Sequence, residues 1–278
     1  MPSTASSDAA FVPTLTGFAP VRGTALYYEV TGRGEPVVLL HGFSFDRRLW
    51  DDQVAPLAAR HTVVRYDLRG FGKSAPSTEP YTHADDLRAL LDHLGFARAA
   101  LIGLSMGGGA AVNFAVAYPE RVRALVLVDS TLAGYKWSRD FADAQTAVNQ
   151  IARAGDLEGA RTAWLALSMF APTMANAQAA ARLRMMVDDY SGWHWSNPDP
   201  GMPMKPRAIE RLGEIRAPTL VVVGERDTAD FHGIAATLAK GIPNATAVVL
   251  AGAGHVANLE SPAEFNTVVT KYLDSDAS

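Results

Sequence analysis

Ser105 stands in the stretch Leu101-Ile102-Gly103-Leu104-Ser105-Met106-Gly107-Gly108-Gly109, a hydroxyl with glycine two residues to either side. An apolar run, Ala99 to Ile102, leads into it, and a run of small apolar residues, Ala110 to Ala117, leads out. That order reads as strand, tight turn, helix. In such a turn the central residue is forced into a strained conformation that lifts its side chain clear of the sheet. The residues two before and two after then crowd each other, which glycine tolerates. The hydroxyl lies at a helix start, where free N–H groups and the helix dipole favour developing negative charge, so the chemistry would be nucleophilic. Taken alone, the pattern fits equally well a glycine-rich turn whose serine only caps the helix.

A serine hydroxyl becomes a useful nucleophile when a base takes its proton and an acid orients that base. Two residues downstream supply both. Asp227 follows the apolar run Thr219 to Val223, and His255 follows the run Ala245 to Leu250 through Ala251-Gly-Ala-Gly. Asp230, and Asp129 at the end of the run Ala124 to Val128, are alternative acids. Of the other histidines, His41 is expected to pack beneath its own loop, and His61, His83 and His93 to lie on helix or loop surfaces. None has a metal-ligand spacing such as H-E-x-x-H, so no metal is expected. No Gly-Lys-Ser/Thr follows the glycines, which argues against a nucleotide site.

The elements that would position these residues come from the apolar pattern. Phe18 to Arg22 and Ala25 to Val30 suggest edge strands around Gly23, and Pro36 to Leu40 is a strand covered on both faces that ends at His41-Gly42-Phe43. A helix is expected over Arg47 to Ala59, a strand over His61 to Tyr66, and an amphipathic helix over Thr82 to Leu94 stopped by Gly95. The last third alternates again: a helix over Pro206 to Leu212, a strand over Thr219 to Val223, a helix over about His232 to Lys240, a strand over Ala245 to Leu250 and a final helix over Pro262 to Leu273. Alternating strand and helix implies an α/β fold with a mostly parallel sheet of about eight strands and helices on both faces. Ligands of such sheets sit beyond the carboxyl ends of the strands, where His41, Ser105, Asp227 and His255 all fall.

Composition bounds the partners. Among 278 residues, 48% are hydrophobic and 19% charged, with a net charge of −4, so no basic field exists to attract nucleic acid or anionic lipid. Cysteine is absent, which removes disulfides and thiolate chemistry. Ala99 to Pro119 carries no charged residue, yet its four glycines, Ser105 and Asn113 split it into strand and helix, and no membrane span is expected. Residues 1–10 have neither the basic start nor the apolar centre of a signal peptide. We therefore expect a disordered leader over 1–15 and a cytoplasmic protein.

Taken together, His41-Gly42-Phe43, Asp67-Leu-Arg-Gly-Phe-Gly-Lys-Ser74, Gly103-Leu-Ser-Met-Gly107, Gly224-Glu-Arg-Asp227 and Gly252-Ala-Gly-His255 resemble the α/β-hydrolase family. The resemblance covers roughly residues 18 to 273 and extends to capped carboxylesterases and enol-lactone hydrolases, which share Gly-Leu-Ser-Met-Gly. It implies Ser105 as nucleophile, His255 as base and then acid, Asp227 as the orienting carboxylate, and an oxyanion hole from the backbone N–H groups of Phe43 and Met106. It also implies turnover without a cofactor. Ser at 105 sets the chain apart from the family's epoxide hydrolases and dehalogenases, which use Asp there. Ser44, where cofactor-free haloperoxidases commonly carry Pro, weighs against peracid chemistry.

Between Thr131 and Pro206 the texture changes, with no buried-strand run. Helices are expected near Arg139 to Ala154, Leu157 to Phe170 and Ala175 to Tyr190, followed by a Pro-broken stretch. This predicts a helical cap, 131–206, inserted into a core of 16–130 and 207–278. Six of the eight Met and four of the five Trp lie in the cap, an adaptable apolar surface for acyl chains or aromatic rings. Trp137, Trp164, Met185, Trp193 and Trp195 are the candidate substrate contacts, with Trp193 or Trp195 expected to reach the pocket because Pro198, Pro200 and Pro203 hold that stretch out of regular structure. His194 is placed to contact a carbonyl. The expected partner is a small-molecule ester or lactone, and nothing in the sequence specifies an oligomeric state. Hydrolytic C–C cleavage, peracid formation and a slow-turnover lactone sensor use the same residues.

Overall fold

The computed structural model describes residues 15–76 and 78–275. Eight strands form one sheet: β1 (Leu15–Val21), β2 (Thr24–Thr31), β3 (Glu35–Leu40), β4 (His61–Tyr66), β5 (Ala99–Leu104), β6 (Val122–Val128), β7 (Thr219–Gly224) and β8 (Ala245–Leu250). Their order is β1-β2-β4-β3-β5-β6-β7-β8. β1 pairs antiparallel with β2 and β2 antiparallel with β4, and every later pairing is parallel. The parallel strands β5 and β7 are buried at every position, as their unbroken apolar sequences require of strands covered on both faces.

Helices α1 (Asp51–Ala58), α2 (His83–His93) and α3 (Met106–Ala117) follow β3, β4 and β5 respectively, so each joins one strand to a later parallel one. α3 packs on β5, and α2 on α3 and β1. Thr82 caps α2 by accepting from Asp85 N, and Asp85 and Asp86 lie in the first turn, where their charges suit the helix dipole. The charge-free stretch from Ala99 is thus one strand and one helix. Among the described residues no helix is long and apolar enough to cross a membrane.

Between β6 and β7 the chain leaves the sheet for α4 (Arg139–Arg153), α5 (Leu157–Leu165), α6 (Ala171–Ala175), α7 (Ala177–Asp189) and α8 (Trp193–Ser196). Three expectations need correction here. The helix expected over Leu157 to Phe170 ends at Leu165, whereas the one expected over Ala175 to Tyr190 is α7, begun after Asn176, whose carboxamide oxygen caps it from Gln178 N and Ala179 N. The stretch around Trp193 is a helical turn, not irregular chain. The helix over Pro206 to Leu212 is replaced by two 3-10 turns, Ala208–Glu210 and Leu212–Glu214, because the Ile209 amide is drawn to Ala133 O at 3.1 Å. The chain closes with α9 (Ala229–Gly241) on β7 and β8, α10 (Ala257–Glu260) and α11 (Pro262–Ser275). Residues 1–14 of the expected leader lie outside the described residues, and Leu15 opens β1.

Candidate active site

Ser105 joins β5 to α3 with φ 54° and ψ −115°, outside the regions a residue with a Cβ ordinarily occupies. The glycines around it answer a steric demand. A Cβ on Gly103 would lie 2.4 Å from Gly107 O, and one on Gly107 would lie 2.3 Å from Leu40 O. Ser105 N donates to Val128 O at 2.9 Å, and Ser105 O accepts from Gly109 N at 3.0 Å and Thr131 N at 3.0 Å. The turn is thereby tied to β6 as well as to its own helix.

Strain is concentrated in this region. Among the described residues, the non-glycine residues with positive φ are Ser44 (64°), Ser105 (54°) and Asp129 (42°), each just past the carboxyl end of β3, β5 or β6. Conformations of this kind cost roughly 1–3 kcal/mol each and persist where surrounding contacts hold them, often at functional sites.

The imidazole and its carboxylate come from the next two strand ends. His255 Nδ1–H donates to Asp227 Oδ2 at 2.9 Å, both side chains being shut off from solvent. Asp227 Oδ1 accepts Thr228 N–H at 2.6 Å. The loops that carry them close on each other: Arg226 N donates to Ala253 O at 2.8 Å, and a Cβ on Gly224 would lie 2.2 Å from Gly254 O. Glu260 of α10 clamps the His255 loop by accepting Gly254 N–H at 2.5 Å and Val256 N–H at 3.1 Å, and it also accepts Thr173 Oγ1–H at 2.6 Å. Asp230 faces elsewhere, receiving Ser138 N–H and Oγ–H. Asp129, Asp227 and His255 each bring one potential ligand atom within 4.8 Å of the others, but the His255 and Asp227 atoms are committed to each other.

The loop after β3 is held from below. Leu68 N–H donates to His41 Nε2 at 2.9 Å, so the ring proton is on Nδ1, which donates to Gly42 O at 2.8 Å. Burial pushes His41 down to about 4, keeping the ring neutral. As expected, His41 packs beneath this loop. Phe43 follows it, and Met106 is the first residue of α3, where an amide has no partner within its helix.

A parallel-rich eight-stranded sheet with a strained serine after β5 and an Asp–His pair after β7 and β8 is matched by comparison with known proteins. Residues 35–262 match the alpha/beta hydrolase fold. The chain belongs to the alpha/beta hydrolase family. A 2-hydroxy-6-oxononadienedioate/2-hydroxy-6-oxononatrienedioate hydrolase of Pseudomonas putida is 32% identical over 265 residues, covering 89% of this chain and 91% of its own. A thermophilic esterase from Thermogutta terrifontis superposes with a TM-score of 0.81 at 28% identity, covering 95% of this chain and all of the esterase. The enol-lactonase of Burkholderia xenovorans LB400 superposes with a TM-score of 0.79 at 26% identity, covering 93% of this chain and all of the lactonase. The protein is an enzyme of the hydrolase class.

In this hydrolase the surroundings of Phe43 are aromatic. Its ring lies 5.5 Å from Phe71, 5.4 Å from Trp164, 5.8 Å from Tyr190 and 6.1 Å from Trp195. His255 is faced by Phe231 at 4.1 Å and Phe170 at 6.0 Å. Of the five expected substrate contacts, Trp164 and Trp195 join the Phe43 cluster. Trp137 stands one ring removed from His255, stacked on Phe141 and edge-on to Phe231. Trp193 is half-buried and, among the described residues, its aromatic partner is the His194 ring. Met185 does not belong with them: it is 42% exposed on α7, whereas Met186, about 100° further round the helix, is buried. His194 stacks on Phe71 at 4.3 Å, and its backbone N–H donates to Tyr190 Oη. Burial pushes His194 to about 4, so it remains neutral. A further correction concerns His61, which opens β4 and is buried rather than on a surface.

Sequence reasoning overlooks Phe71, Phe170, Tyr190, Phe231 and Glu260 as neighbours of the site. The aromatic density of the helical insertion is the signal that points to part of this set. It also overlooks a tie between insertion and sheet: Trp164 Nε1–H donates to Ser44 Oγ at 2.7 Å, and Ser44 is fully buried. Trp164→Phe keeps a benzene ring but removes the pyrrole ring together with its N–H donor. We expect the lost bond and the small cavity together to cost about 2–3 kcal/mol, seen as a Tm lowered by roughly 4–10 °C, and Trp164→Phe combined with Ser44→Ala to cost less than the two changes summed.

Proposed function

We propose that this enzyme hydrolyses carboxylic esters or lactones with a hydrophobic acyl or aromatic part through an acyl-enzyme on Ser105, with 131–206 as a cap over the core of 16–130 and 207–278. The observation that carries the reading is the buried His255–Asp227 bond. With Nδ1 bonded to the carboxylate, Nε2 is the nitrogen left to accept a proton, as a general base requires.

As Ser105 Oγ bonds to the substrate carbonyl carbon, its proton passes to His255 Nε2 and the carbonyl π pair moves onto oxygen. The N–H groups of Phe43 and Met106 receive that oxyanion; one such donor is typically worth about 3 kcal/mol. Collapse breaks the bond to the alkoxy oxygen, which takes the proton from His255. Water then repeats the sequence on the acyl-enzyme, releasing the acid and restoring Ser105. A lactone gives one hydroxy acid. No step calls on a cofactor.

The aromatic cluster supports an apolar substrate. The guanidinium groups of Arg47, Arg48, Arg69 and Arg182 are each engaged by carboxylates, Arg69 with Asp86 in full burial, whereas that of Arg161 donates to Tyr190 O. The Pseudomonas relative, whose substrate name denotes a dicarboxylate, supports C–C hydrolysis as the second reading. A panel of p-nitrophenyl esters of rising acyl length, γ- and δ-lactones and a vinylogous 1,5-diketone acid separates them. Highest kcat/KM on a neutral ester or lactone is the expected result, and turnover confined to the diketone acid would replace the first reading with the second.

A further inference from the structure

Asp129 directly follows β6, with positive φ and no solvent exposure. Its Oδ1 accepts the Gly224 N–H at 2.8 Å, which ties the end of β6 to the end of β7. Its Oδ2 is buried without a donor. A carboxylate oxygen left in that state is costly, and Asp129, Asp227 and His255 lie too close for two buried carboxylates to ionise together without strong repulsion. A single proton on the pair removes both penalties. Asp227 has a donor on each oxygen, from His255 and Thr228, whereas Asp129 has one donor and one vacant oxygen. The proton therefore fits on Asp129 Oδ2.

We propose that Asp129 is a neutral carboxylic acid whose O–H donates to Asp227 and so holds that carboxylate against His255. Asp129 is a positioning residue, acting through Asp227 and not on substrate, and the proposal rests on the assignment of Asp227 and His255 given above. Burial first, and then the nearby Asp227 charge, push the Asp129 carboxyl well above the usual carboxylate range, against the Gly224 N–H that favours ionisation. The charged or titratable groups facing it are Asp227 from the β7 loop, His255 from the β8 loop and Glu260 from α10. With Asp129 neutral, His255 faces one negative charge in this pair. A second would hold the proton on the imidazole and oppose its release to the leaving group.

Infrared difference spectra of the full chain at about pH 8, well above ordinary carboxylic acids, test this directly. Wild type minus Asp129→Asn should show one protonated-carboxyl C=O band, and wild type minus Asp129→Leu the same band, so either variant suffices if the other fails to fold. Asp129→Asn keeps a donor toward Asp227 and an acceptor for Gly224 N–H, and should stay within roughly tenfold of wild-type kcat. Asp129→Leu loses the donor and should lower kcat by roughly 10–100-fold, with KM little changed and the acidic limb of kcat/KM moved to higher pH. A residue that only braces β6 against β7 would alter Tm but neither the band nor that limb. Absence of the band overturns the proposal whatever the kinetics. Loss of turnover in Asp129→Asn with retention in Asp227→Asn would also overturn it, by making Asp129 the orienting carboxylate. The band is independent of whether Ser105→Ala retains turnover, so failure of the functional assignment is told apart from failure of this proposal.

Discussion

Ser105→Ala is expected to lower kcat on the best ester by about 10⁵–10⁶-fold while leaving Tm within roughly 2 °C. The asymmetry follows from what Oγ does. Backbone bonds to Val128, Gly109 and Thr131 hold the turn, and none involves the hydroxyl. Alanine keeps the Cβ, so the strained backbone at φ 54° is neither relieved nor worsened. The missing atom is the one that would form the acyl bond, and what remains is water attack aided by the oxyanion hole. A large fall in Tm would mean instead that the hydroxyl braces the turn, as the helix-capping reading of the glycine pattern requires.

Asp227→Asn is expected to lower kcat by about 10⁴-fold, with folding retained. The amide is nearly isosteric, and its oxygen can keep the Thr228 N–H bond. Its NH₂ group then faces His255 Nδ1, which must accept, so the ring proton moves to Nε2. That nitrogen can no longer take the serine proton. Asp129 sharpens the test because, of the two alternative acids, it is the one placed beside His255, Asp230 being engaged by Ser138. Under the present assignment Asp129→Asn is mild and Asp227→Asn severe, and kcat/KM against pH on each variant distinguishes the two.

Much of the fold and the elbow at Ser105 is legible in the sequence because the signals are local. Unbroken apolar runs mark strands covered on both faces, and glycine at 103 and 107 reports a clash within a few residues. The positions of Asp227 and His255 at strand ends follow once the alternation of strand and helix is read. Contacts across long separations are not legible in this way. The bond from Trp164 to Ser44 joins residues 120 apart, and nothing near either residue announces the other. Met185 and Met186 show the same limit at short range. They are chemically identical, and the rotation of α7 against its neighbours decides which is buried. Asp129 carries an ordinary carboxyl in sequence. Its environment arises only where the ends of β6 and β7 and the His255 loop converge.

The assignment of Ser105 as the acylated residue is tested most directly by titration with an alkyl fluorophosphonate, following ester hydrolysis and locating the adduct by peptide mass spectrometry. The account predicts a single equivalent on the peptide containing Ser105, with hydrolysis lost in step with labelling and no adduct in Ser105→Ala. An adduct on another residue, or hydrolysis that survives full labelling of Ser105, would contradict it.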